Sequence, residues 1–292
     1  MIGALPPTLM IRCLLAELLA GVVAALTPVL GARVERVLIY LLLLRRTLDG
    51  GRPTPVLGVG ETLAMPFETA RRHVVALAAA GRCRRVPGGM IAAGRPLVDA
   101  ALGPRLALVH DRTVALIERL AAAALLPELT AAAGEYDWVD GLRIAADLTL
   151  AIAAADQSRC AKPIDRVLLA ALLAGNAAAI TADPGLFRRA APPHEVAPAW
   201  RPVRRRFVAG ALHLPEATVR RRFVGLDAAV EVTSNGLVLR PAWLTDAAGE
   251  AVGAELHASL RRHLAQLARR KFPFDAVATA YRRGTPASLD FG

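Results

Sequence analysis

Apolar residues in this 292-residue chain fall into long runs and one-sided helical stripes, separated by short turn-rich stretches. The run "LLAGVVAALTPVLGA" is apolar all round. "VERVLIYLLLL" at 34 to 44 and "IDRVLLAALLA" at 164 to 174 are helical in length and too apolar to turn a wide face to water. Elsewhere the pattern is amphipathic. Wound at 100° per residue, the segment from Phe67 puts Ala70, Val74 and Leu77 inward and Glu68, Arg72 and Val75 outward, with Thr69 and Arg71 on the flanks. After Pro215 the same order returns: Val219, Phe223 and Leu226 inward, Arg221 and Val224 outward between Arg220 and Thr218. Pro66 and Pro215 stand at the helix starts, where a missing N–H costs nothing. A Gly-containing turn between β-prone stretches follows each helix, in "CRRVPGGMIAA" and "VEVTSNGLVLR", and then a further helix near 105 to 125 and 252 to 271. Asn235-Gly236 is the stronger hairpin signal, because both residues tolerate positive φ at a tight turn.

These parallels are an internal duplication. Residues 52 to 77 align without a gap to 201 to 226, with ten identities in 26 positions, Pro and Thr among them. Each half reads helix, helix, turn, helix, hairpin, helix. The unit is far longer than a solenoid repeat, so two domains are expected, 1–130 and 131–292, packed together. The boundary falls in "LPELTAAAGEYDWVDG", broken by Pro127, Gly134 and acidic residues. The second half carries an insertion near 180–200, "ITADPGLFRRAAPPHEVAPAW", whose Pro and Ala content predicts an irregular excursion. Gly58 and Gly60 each cost a helix about 1 kcal/mol against Ala, so the second helix of the first half is expected to be short or irregular.

Charge narrows the partner. The formal charge is +11, and all but two of the 36 basic residues (Lys162 and Lys271) are arginines. A polyanion suits that balance, because each neutralised phosphate releases counterions. Cys13, Cys83 and Cys160 form no ligand spacing and read as reduced thiols in a cytoplasmic protein. The N-terminal apolar run is bracketed at 15 residues by Glu17 and Arg33 and contains Thr27-Pro28, whereas a span needs about 20 apolar residues. No basic n-region precedes it. A buried core helix is the expectation, with no membrane partner.

Chemistry is sparse. His110, His194, His213, His257 and His263 show no ligand spacing, no serine sits in a nucleophile elbow, and "GVGETL" has no lysine after it. Neither catalysis nor a cofactor nor a metal is expected.

The Arg-bearing helices with their hairpins, "LAMPFETARRHVVALAAAGR" plus "CRRVPGGMIAA" and "LHLPEATVRRRFVGL" plus "VTSNGLVL", resemble the recognition helix and wing of bacterial winged helix-turn-helix transcriptional regulators. The resemblance covers about 60 residues of each half. It implies a mainly α fold with short β-hairpin wings, two tandem modules and long flanking helices. It also implies docking on double-stranded DNA, each recognition helix in the major groove and each hairpin on the adjacent backbone. The expected contacts are Thr69, Arg71, Arg72, His73, Arg84 and Arg85 in the first module, and Arg204, Arg205, Thr218, Arg220, Arg221 and Arg222 in the second. Thr69 and Thr218 serve equally as helix caps. The wings differ: the first is basic, while the second has Glu231 and no Arg before its turn. The expected function is transcriptional regulation, with RNA polymerase as a further partner and a homodimer formed through the apolar helices. A plasmid-type replication initiator and a winged-helix assembly factor that touches no DNA are the alternatives.

Overall fold

A computed structural model describes residues 7–129, 132–183 and 200–292. The chain is mainly helical, with two two-stranded antiparallel sheets among the described residues. The first half comprises α1 (Pro7–Leu30), α2 (Val34–Leu48), α3 (Val56–Leu63), α4 (Phe67–Ala79), β1 (Cys83–Val86), β2 (Gly89–Ala92) and α5 (Gly103–Ala122). The second comprises α6 (Trp138–Ala155), α7 (Pro163–Asn176), the short α8 (Ala178–Ala182), α9 (Arg205–Ala211), α10 (Glu216–Phe223), β3 (Val230–Thr233), β4 (Gly236–Leu239), α11 (Pro241–Thr245) and α12 (Ala247–Arg269). Most of the expected insertion near 180–200 lies outside the described residues; its described edges are the end of α8 with Asp183, and Trp200.

The two halves repeat each other down to single backbone dihedrals. The turn after α3 passes through the left-handed region at Ala64 (φ 50°), and the turn after α9 does so at His213 (φ 52°). In both, the next residue reaches back over the turn: Met65 N–H donates to Gly60 O at 2.8 Å and Leu214 N–H to Ala209 O at 2.9 Å. Such bonds satisfy carbonyls that a helix C-terminus otherwise leaves open. After the hairpins the correspondence continues. Asp99 and Asp246 accept amide N–H bonds at the starts of α5 and α12, and Ala124 and Lys271 take positive φ past their ends. Leu97/Leu244, His110/His257 and Leu120/Leu267 are identical at this same spacing, so the duplicated sequence reaches well beyond residues 52 to 77. α3, which carries Gly58 and Gly60, is short as expected, 8 residues from Val56 to Leu63, but is not interrupted by them.

Each hairpin gains a third, one-bridge strand from the segment before α3 or α9: Thr54 pairs with Met90, and Val203 with Leu237. This explains Gly89 and Gly236. A Cβ on Gly89 would lie 2.4 Å from the Thr54 carbonyl carbon, and one on Gly236 2.7 Å from that of Val203. The turn itself is made by Ser234 and Asn235, since Thr233 pairs directly with Gly236. The glycine of the Asn-Gly pair is therefore required by close backbone approach, not by the tight turn anticipated from sequence. Two polar side chains on the long helices complete the sheets from below. Thr47 Oγ1 accepts Ala92 N–H at 3.0 Å and Asn176 Oδ1 accepts Leu239 N–H at 2.9 Å.

The halves are interleaved. α1 packs on α7 of the other half, and α6 packs on α2 in return. Likewise α1 touches α12 and α6 touches α5, so each opening helix is clasped by both halves. One continuous apolar core results, in which Leu38 to Leu44 are all at most 2% exposed. The apolar surfaces expected to serve a second copy of the chain are thus covered within it. Thr8–Leu30 is long and apolar enough to cross a membrane, yet 94% of its apolar window is buried among the other helices. Pro28 does not end α1; it lies in the last turn, and Thr27 Oγ1 donates to Val23 O at 2.6 Å. Three of the charged groups that enter the core are matched. Glu17 pairs with Arg119 at 2.5 Å, Arg45 with Asp147, and Arg12 donates to the carbonyls of Leu244 and Gly249 at 2.8 and 2.7 Å.

Candidate nucleic-acid interface

α2 and α7 lie against each other, and each carries its own amphipathic helix, α4 on α2 and α10 on α7. Both amphipathic helices consequently line one cleft of about 830 Å³. α4 contributes Arg72, His73 and Ala76; α10 contributes Thr218, Arg221 and Arg222; the entry of α2 adds Arg33, Glu35 and Arg36, and that of α7 adds Ile164. Five arginines face one lining carboxylate, with Asp165 a further 3.7 Å from Arg222. An excess of positive charge in a concave, partly desolvated site focuses its field on anions.

The inward faces of α4 and α10 are buried at Ala70, Val74, Leu77, Val219 and Phe223; α10 ends at Phe223, short of the expected helical position of Leu226, which is buried beyond the helix. Arg72 and Arg221, which align in the duplication, are exposed. Each has a bare valine one turn on, Val75 at 56% and Val224 at 66% exposure. Thr69 and Thr218 are half-buried at the helix starts, and neither caps its helix. Arg71 is exposed, and its Nε donates to both Glu68 carboxylate oxygens at 2.9 and 3.1 Å. Arg220 is exposed and has Ala217 where Arg71 has Glu68, so its charge is not offset in that way.

Two expected contacts turn inward. His73 is only 7% exposed and sits in the cleft, because α4 packs on α2 along that edge; it cannot reach a base edge in a groove. Burial holds its imidazole below the usual range, and Arg72, Arg36 and Arg33 push the same way against Glu35. Arg222, its counterpart, is half-buried beside Asp165, whose carboxyl burial raises and Arg222 lowers.

On β1, Arg84 and Arg85 are both exposed. The equivalent positions on β3 are Glu231, 3.7 Å from Arg240, and Val232 at 64% exposure. Arg204 is exposed just before α9, and Arg205 is half-buried with an Nε that has no hydrogen-bond partner among the described residues. Arg33 and Arg36 escaped the sequence reading. The signal available was the charged pair flanking the apolar run at Val34, which helical periodicity treats as a solvated end.

No group of three or more His, Cys, Asp or Glu side chains suited to a metal occurs among the described residues. The three cysteines are buried free thiols, Cys13 pushed up to about 12 by burial, and Cys83 and Cys160 to about 11. The cleft lining is dominated by arginine, whose guanidiniums make charge-assisted hydrogen bonds to anions. No family model, curated protein or solved structure matches the chain.

Proposed function

We propose that the protein is a sequence-specific DNA-binding transcriptional regulator built from two winged helix-turn-helix modules in one chain. The observation that carries this reading is the paired outer face. Arg72 with Val75 on α4, and Arg221 on α10 with Val224 directly after that helix, recur at equivalent positions, exposed in both halves although much around them has diverged. Exposed valine on a solvated helix face gains nothing in water. Beside an arginine in a major groove it meets a thymine methyl, while the guanidinium reads guanine O6 and N7. Arg84 and Arg85 on the first hairpin then engage phosphate, fixing register without carrying sequence information.

The second hairpin supports a second reading for its own half. Glu231 and the bare Val232 suit a protein surface better than a phosphate, which is what an assembly factor would present. Selection from a random duplex library, followed by titration of the selected site against salt, separates the two. A regulator enriches a defined motif, and its log affinity falls by about 0.9 per phosphate contacted for each decade of salt. An assembly factor enriches none.

A further inference from the structure

We propose that the cleft between α4 and α10 is a binding site for a small, multiply charged phosphate compound, and that filling it withdraws Arg72 and Arg221 from DNA; this second half rests on the DNA reading above. The cleft's volume of about 830 Å³ lies in the range of small-molecule sites and is too small for a duplex to enter. Its five arginines against Glu35 leave a surplus that three or four ligand charges would match. Phe, Tyr and Trp are missing from its lining, so the arginines are what meets a ligand and its phosphates are what is recognised.

One further observation marks it as more than a basic surface. His73 lies buried in the cleft, and no described residue hydrogen-bonds to it. Because Arg72 and Arg221 belong both to the cleft and to the outer faces of their helices, one guanidinium cannot hold a ligand phosphate and a guanine at once. Occupancy and DNA readout then compete.

Calorimetry with tripolyphosphate at fixed ionic strength, with sulfate for comparison, tests the site. The expected result is 1:1 binding of tripolyphosphate well above sulfate. Arg33→Ala, which removes an exposed cleft arginine, should weaken it about tenfold, as loss of one charge-assisted contact implies. Arg262→Ala removes the same charge from exposed surface on α12, outside the cleft lining, and should leave binding unchanged. Equal losses from both variants, sulfate binding as well as tripolyphosphate, or no 1:1 binding would overturn the site. The competition arm measures duplex affinity with and without tripolyphosphate at the same ionic strength. Inhibition that Arg33→Ala relieves supports the regulatory role, and DNA affinity indifferent to a bound ligand ends it while the site stands. A protein that binds no duplex at all fails the function reading, and calorimetry still decides the site.

Discussion

At the scale of single residues, the duplication supplies internal controls. Replacing Arg72 or Arg221 by Ala should cost about 1–3 kcal/mol on the preferred duplex and relax base preference at different positions of the footprint. Arg84→Ala and Arg85→Ala should weaken preferred and random duplexes alike and flatten the salt slope, which binding measured across ionic strength would reveal. If the two helix variants lower affinity equally on all DNA with no change in preference, the helices are not readers. Helical winding made the outer residues of α4 and α10 legible, since Arg72, Val75 and Arg221 need only a 3.6-residue period, which Val224 continues at the cap of α10. It misplaced His73, because exposure at the edge of a stripe depends on what packs there. Arg33 and Arg36 were illegible for the same reason: α2 supplies them from more than 30 positions upstream.

For elements, the testable consequences lie in the glycines. Gly89→Ala and Gly236→Ala force a Cβ into strand backbone at a φ near 150°, and each should cost at least about 2 kcal/mol in denaturant unfolding. Gly58→Ala should instead stabilise by up to about 1 kcal/mol, because its Cβ would meet only ordinary contacts inside a regular helix. The hairpins were readable as hairpins, but the strand at Thr54 and Val203 that dictates those glycines was not. A single bridge leaves no alternation to detect. The C-terminal segment is tied down by a polar network equally hidden in the sequence. His110 lies 3.0 Å from Asp111 and 2.8 Å from the Tyr136 hydroxyl, and Asp111 accepts the amides of Arg282 and Arg283 at 2.8 Å. Burial pushes the Asp111 carboxyl up, yet the His110 bond and those two amides outweigh it and hold it below the usual range. Asp111→Ala should therefore release residues near 282, visible as faster amide exchange there.

Over the whole molecule, the domain boundary expected near residue 130 does not divide the core, which is continuous. Residues 1–130 expressed alone should fail to fold cooperatively, because α1 loses α7 and α12 and α2 loses α6. The full chain should unfold in one transition, seen by coincident circular dichroism and fluorescence curves. Periodicity could show that the long helices are apolar all round; it could not show which helix covers which, and the interleaving lives in that choice. Stability should also fall as pH drops from about 7 to 5.5. His73 and His263 are both held below their ordinary range by burial, so the unfolded chain takes up protons first as pH passes about 6.5. Denaturation midpoints at the two pH values check this, and the double variant His73→Gln, His263→Gln should flatten the difference. Asp147 and Asp156, raised by burial, act in the opposite sense, as pH falls toward the carboxylate range.

The exchange of opening helices has a consequence for how the chain is made. α1 emerges from the ribosome well before α7, on which it packs and which ends at Asn176, 146 residues after the last residue of α1. At about 5–20 residues per second, that separation is a wait of roughly 7–30 s with a long, almost wholly apolar helix in search of cover. A nascent chain stalled after α5 should therefore hold on to a chaperone, and one stalled late enough to free α7 from the exit tunnel should let go.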